Sequence, residues 1–105
     1  MTSGERTKIY EALRAVNAAG FHPVAVDDGG DELIYGGNPV LTDTEVLGAV
    51  SAVDDSYVHF RTQDNAKPRR AWFRVVLGNA KDGSEVIADN TVTPGFAEAL
   101  DSIMD

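Results

Sequence analysis

The feature that most constrains the fold is an alternation of apolar and polar residues in the second half of the chain. It covers Tyr57–Thr62 and Arg70–Leu77, and a two-residue period is typical of β-strands. Turn-forming segments at 64–68 and 78–83 end these runs, and a third strand is predicted at Glu85–Asp89. The sequence therefore predicts a three-stranded antiparallel meander.

A β-hairpin is predicted upstream, from His22–Asp27 and Glu32–Tyr35, with the turn pair Gly29-Gly30 between them. Its tip is acidic, with carboxylates at Asp27, Asp28, Asp31 and Glu32. An EF-hand calcium loop would need an oxygen ligand at its third position, and a glycine stands there from either of the first two aspartates. We therefore expect an acidic turn and no metal site.

Two helices are predicted from capping boxes followed by apolar stripes. Thr2 and Glu5 have the capping-box spacing at the start of a helix over about 4–19. A second box, Thr42 to Glu45, starts a helix within residues 41–55. Asp54 and Asp55 end this second helix in the prediction and form a second acidic turn.

A third helix is predicted at the C-terminus, with Thr93 as N-cap and Pro94 at the first helical position. The element order is then α-β-β-α-β-β-β-α. We expect residues 1–105 to form a single two-layer α+β domain, with about three helices on one face of an antiparallel sheet.

Strand parity divides the meander into two faces. The alternate residues on one face are apolar and are predicted to face the helices: Val58, Phe60, Phe73, Val75 and Leu77. The opposite parity comprises Tyr57, His59, Arg61, Trp72 and Arg74. This second face is either a solvated surface with aromatic rings over arginine stems or a binding or dimer surface, since Trp, Tyr and Arg are enriched in interface hot spots.

The net charge of the chain limits the classes of partner that it is expected to bind. The formal net charge is −8, from 17 acidic and 9 basic residues, which disfavours direct contact with nucleic acid or anionic membranes. Solubility alone would explain the charge. The alternative is a protein partner with a basic surface, met by the two acidic turns, Asp27, Asp28, Asp31, Glu32, Asp54 and Asp55. One basic segment, 61–74, carries five basic residues and one acidic residue.

No motif for catalysis or cofactor binding is present. The two histidines have no metal-ligand spacing, the serines lie in no nucleophile motif, and no glycine-rich phosphate loop occurs. Absence of cysteine excludes disulfides and thiolate sites. Without a long apolar segment or a signal peptide, we expect a non-enzymatic, cofactor-free protein of the cytoplasm.

The run AWFRVVLGNAKDGSEVIADNT, followed by a short helix, resembles the ending of small proteins encoded by phages and prophages. Length, acidity and lack of an active site are also similar to small phage anti-defence proteins, including anti-CRISPR proteins. The resemblance implies an inhibitor of a host complex in the bacterial cytoplasm, binding where that complex handles nucleic acid. It implies no role for any single residue. The alternative is a homodimeric adaptor that associates through the face containing Trp72 and Arg74.

Overall fold

The computed structural model describes residues 1–36, 39–63 and 66–104, and it has the predicted α+β fold and element order. Gly37, Asn38, Asp64, Asn65 and Asp105 lie outside the described residues, together with part of the predicted turn at 64–68. The elements are α1 Ser3–Ala18, β1 Phe21–Asp27, β2 Glu32–Tyr35, α2 Asp43–Ser51, β3 Asp55–Thr62, β4 Arg70–Val76, β5 Ile87–Asn90 and α3 Phe96–Asp101.

The predicted hairpin and meander join into one antiparallel sheet of five strands in the order β2-β1-β3-β4-β5. The junction is the pairing of β1 with β3, in which Phe21 lies opposite Thr62 and Asp27 opposite Tyr57. A register shift between Pro23 and Ala25 interrupts this ladder. Such bulges accommodate proline, which has no N–H to donate to a neighbouring strand.

The core lies between the helices and one face of the sheet. It is centred on the four phenylalanines of the chain, which are at most 1% exposed. Phe96 of α3 packs against Phe21 and Phe60, with ring centroids 5.2 and 5.3 Å away, and Phe60 lies 5.1 Å from Phe73. Aromatic pairs at these distances add to the stabilisation from burial. The short α3 is therefore held by tertiary packing more than by its own helical propensity.

Both predicted capping boxes are confirmed, and the first does more than cap its helix. Glu5 is only 2% exposed. One carboxylate oxygen accepts the backbone N–H of Thr2 at 2.8 Å, and the other accepts the N–H of Gly78 at 2.7 Å. These two donors, that of Thr2 first, hold the pKa of Glu5 below its usual range. Glu5 thus joins the start of α1 to the loop after β4.

Several predicted boundaries are wrong. β3 begins at Asp55, because Asp55 and the buried Ser56 pair with the end of β4 and do not close α2. β5 is Ile87–Asn90, later than Glu85–Asp89. Thr93 is not the N-cap of α3, since its hydroxyl donates to the carbonyl of Arg70 and the helix starts at Phe96 after Gly95. No helix in the described part of the chain is long and apolar enough to cross a membrane.

Candidate functional site

The helices leave one face of the sheet uncovered. Burial alternates along β3 and β4, so Val58 and Phe60 are buried while their neighbours are half-buried. The half-buried set, as parity predicts, contains Tyr57, His59, Arg61, Trp72 and Arg74. We call this surface the open face. The register of the strands extends it from the meander onto β1 and β2.

A row of side chains crosses the open face through all five strands. Glu32 lies opposite Asp27, Asp27 opposite Tyr57, Tyr57 opposite Arg74, and Arg74 opposite Asp89. Directly opposed residues project from the same face of a sheet. A single arginine therefore stands in a row with three carboxylates and a tyrosine.

Tyr57 and Trp72 form an aromatic pair at the centre of the open face. Their ring centroids are 5.5 Å apart at an interplanar angle of 72°, an edge-to-face contact. The guanidinium of Arg74 lies 5.7 Å from the centroid of Tyr57, within the range of a cation–π contact. Both rings are therefore held in place by neighbours and form a preorganised apolar patch between charged groups.

An ion pair and a histidine–carboxylate contact border the aromatic pair. Arg74 donates through Nε and Nη2 to the two carboxylate oxygens of Asp55, at 2.9 and 2.5 Å. This pairing lowers the pKa of Asp55 and raises that of Arg74. On the other side, the Nε2 atom of His59 lies 2.5 Å from Oδ2 of Asp27. Residues that the sequence assigned to the acidic turns and to the sheet face are thus bonded to one another.

The six acids of the two turns fall into two groups. Asp27, Asp28 and Asp55 are engaged within the protein. Asp28 accepts the backbone N–H groups of Asp31 and Gly30, which lower its pKa, and Asp27 accepts that of Gly29. The other three are exposed, and their side chains make no hydrogen bond or ion pair with the described residues: Asp31, Glu32 and Asp54.

The sheet brings the two acidic turns to the same end of the open face. The hairpin tip follows Asp27 at the end of β1, and Asp54 precedes the start of the antiparallel β3. The other end is basic, because Arg61 of β3 lies opposite Arg70 of β4. Four residues of strand, about 13 Å, separate Tyr57 from Arg61. The open face is therefore electrostatically polarised along its strands.

The open face holds a contact between a histidine and a carboxylate. His59 and Asp27 have the geometry of a base and its orienting carboxylate. Among the residues that the structure describes, no serine or threonine hydroxyl bonds to the His59 ring. Among the residues that the structure describes, no group of three acidic or histidine side chains is placed to hold a metal ion.

Two surface clefts, of about 310 and 300 Å³, lie away from the open face. The first lies between α1 and α2. The second is lined by Lys8, Asp82, Ser84, Ile87 and Met104. No residue assigned to a site by the sequence lines either cleft.

Comparison of the chain with models of known protein families, with curated proteins and with solved structures finds no match.

Proposed function

We propose that this protein is a non-catalytic binding protein that docks onto a basic surface of a protein partner through the acidic end of the open face. The observation that carries the proposal is the position of Asp31, Glu32 and Asp54. These exposed carboxylates lie in the segments at one end of the sheet, the end where β3 begins two residues before Tyr57.

The carboxylates and the aromatic pair of this surface would contribute to binding in different ways. Exposed carboxylates steer a basic partner toward the protein and set its orientation, an effect that salt screens. The aromatic pair supplies apolar contact area with little loss of side-chain entropy on binding, because both rings are already held. Asp27 and Asp55 would support the surface from within, through His59 and Arg74, without meeting the partner directly.

The kind of partner is proposed from the resemblance to phage anti-defence proteins described above. Many phage anti-defence proteins bind the nucleic-acid-handling surface of a host complex, and carboxylates could stand in there for phosphates. We therefore propose that this protein inhibits or modulates a host complex of that kind, as a small phage-encoded protein of the bacterial cytoplasm.

Site-specific photo-cross-linking in cells tests the position of the interface. A photoreactive phenylalanine at Tyr35, which is 64% exposed and in register with Ala25 and His59 on the open face, should cross-link to the partner. The same residue at Glu11, exposed on α1, is the matched control. Cross-links from position 11 and none from position 35 would place the interface on the helices and overturn the proposal.

A second candidate function is a homodimeric adaptor, favoured by the polarity of the open face. A two-fold axis in the plane of the face and perpendicular to the strands would set the acidic end of one copy against the basic end of the other. Trp72 would then be buried at the centre. Sedimentation should show a dimer that Trp72→Ala converts to a monomer, and a monomeric native protein would remove this candidate.

A further inference from the structure

The cleft between α1 and α2 has a polarity opposite to that of the molecule as a whole. It has a volume of about 310 Å³, and Tyr10 and Leu47 form part of its apolar lining. Arg6 is the only charged side chain among the described residues that line it. In a chain with 17 acidic and 9 basic residues, a cleft lined by a guanidinium and no carboxylate is suited to an anion.

Two arginines lie near the ring of Tyr10, which lines this cleft. The guanidinium carbons of Arg6 and Arg14 lie 6.0 and 5.8 Å from the centroid of the Tyr10 ring. Two of the three basic residues in the first 60 positions therefore surround one aromatic ring. Planar guanidinium and phenol groups both offer stacking surfaces to an aromatic ligand.

Gly48 of α2 also lines the cleft, and the fold gives no reason for a glycine there. Its φ is not in the left-handed region, and a Cβ atom built on it would meet nothing within 4 Å. Glycine inside a helix costs about 1 kcal/mol relative to alanine. A destabilising residue without a packing or conformational requirement is typical of functional positions. Here its effect is to keep the cleft free of a side chain.

We infer that this cleft is a binding site for a compact aromatic anion, such as an aromatic carboxylate or sulfonate. The ring of the ligand would lie over Gly48, against Tyr10 and Leu47, and its anionic group would pair with Arg6. The volume is at the lower end of the range of small-molecule sites, about 300–1,000 Å³, so the ligand is small. This site is separate from the open face and does not depend on the function proposed for it.

The experiment is an NMR titration of the amide resonances with naphthalenesulfonate and with its uncharged analogue, naphthalenesulfonamide. Shifts should be confined to 6–10 and 44–51, with the sulfonate bound about two- to fivefold more tightly than the sulfonamide, a difference that one exposed ion pair supplies. Arg6→Gln should remove this preference while leaving sulfonamide binding unchanged. Equal affinity for the two probes would show that no anion site exists.

Two substitutions at Gly48 separate occupancy of the cleft from stability of the helix. Gly48→Ala and Gly48→Leu should both raise the unfolding temperature, because both residues favour helix more than glycine does. Gly48→Ala should keep sulfonate binding, whereas Gly48→Leu should weaken it at least about tenfold by filling the cleft. Unchanged binding by Gly48→Leu, shifts located elsewhere, or no binding of either probe would each overturn the inference.

Discussion

The carboxylate of Asp27 and the imidazole of His59 lie 2.5 Å apart across the ladder that joins β1 to β3. By sequence, Asp27 belongs to an acidic hairpin tip and His59 to the face of a distant meander. Their contact, together with that of Asp55 and Arg74, makes the two predicted surfaces parts of one surface. In the proposed function, the acids that meet the partner are therefore those outside such contacts: Asp31, Glu32 and Asp54.

Replacement of Glu5 by Gln should destabilise the protein by about 2 kcal/mol at pH 7, because the buried carboxylate accepts two backbone N–H groups. Glu11→Gln, on the exposed side of the same helix, is the matched control and should change stability by less than about 0.5 kcal/mol. Urea unfolding of the three proteins measures the difference. Equal stability of the Glu5 and Glu11 variants would contradict the bridging role of Glu5.

The advantage of the wild type over Glu5→Gln should depend on pH. A carboxyl group whose pKa is lowered in the folded state stabilises the fold above its unfolded pKa. That stabilisation is lost as the pH falls through the folded value. The difference in unfolding free energy should therefore be constant near neutrality and shrink from about pH 5 downward. A difference that grows on acidification would show that the sign is wrong.

The pair between Arg74 and Asp55 should contribute little to stability despite its bidentate geometry. The two side chains are 38% and 44% exposed, so solvent screens their attraction. A double-mutant cycle with Arg74→Ala and Asp55→Ala should give a coupling energy of about 0.5–1 kcal/mol. The coupling should fall in 1 M salt. A coupling above about 2 kcal/mol would mean that the pair is far less hydrated than its exposure indicates.

Trp72 is the only tryptophan of the chain, so its fluorescence reports on the open face alone. Acrylamide should quench the tryptophan fluorescence of the free protein. A saturating concentration of the partner identified by cross-linking should protect the indole from this quenching. Trp72→Ala should weaken that binding by about 2 kcal/mol or more. Met104→Ala, an exposed apolar residue after α3, should not change it. Quenching unaffected by a saturating partner would exclude Trp72 from the interface.

Local patterns predicted most of the fold and the membership of the open face. Capping boxes at Thr2 and Thr42 identified two helix starts, and the two-residue period of 57–62 and 70–77 separated Val58 from Tyr57. These features depend on neighbours a few residues apart. Thr93 failed as a cap because its hydroxyl bonds to Arg70, a strand residue 23 positions earlier.

The arrangement of the candidate site could not be predicted from the sequence. It depends on the register of β1 against β3 and on the bulge after Pro23, which together set Asp27 beside His59. Long-range register is determined by packing of the whole core and is not encoded in either strand alone. The same is true of Glu5, whose second partner lies 73 residues away.

The most direct test of the central claim is the affinity for the cross-linked partner of a variant with Asp31, Glu32 and Asp54 all changed to Lys. The matched control changes three exposed acids away from the open face, Glu11, Glu85 and Asp101. Each reversal adds two charges, so both variants go from the net charge of −8 to about −2. We expect the control to bind within about threefold of the wild type and the open-face variant to bind at least about 100-fold more weakly at low salt. Equal affinity of the two variants would contradict the claim that the acidic end of the open face is the binding surface.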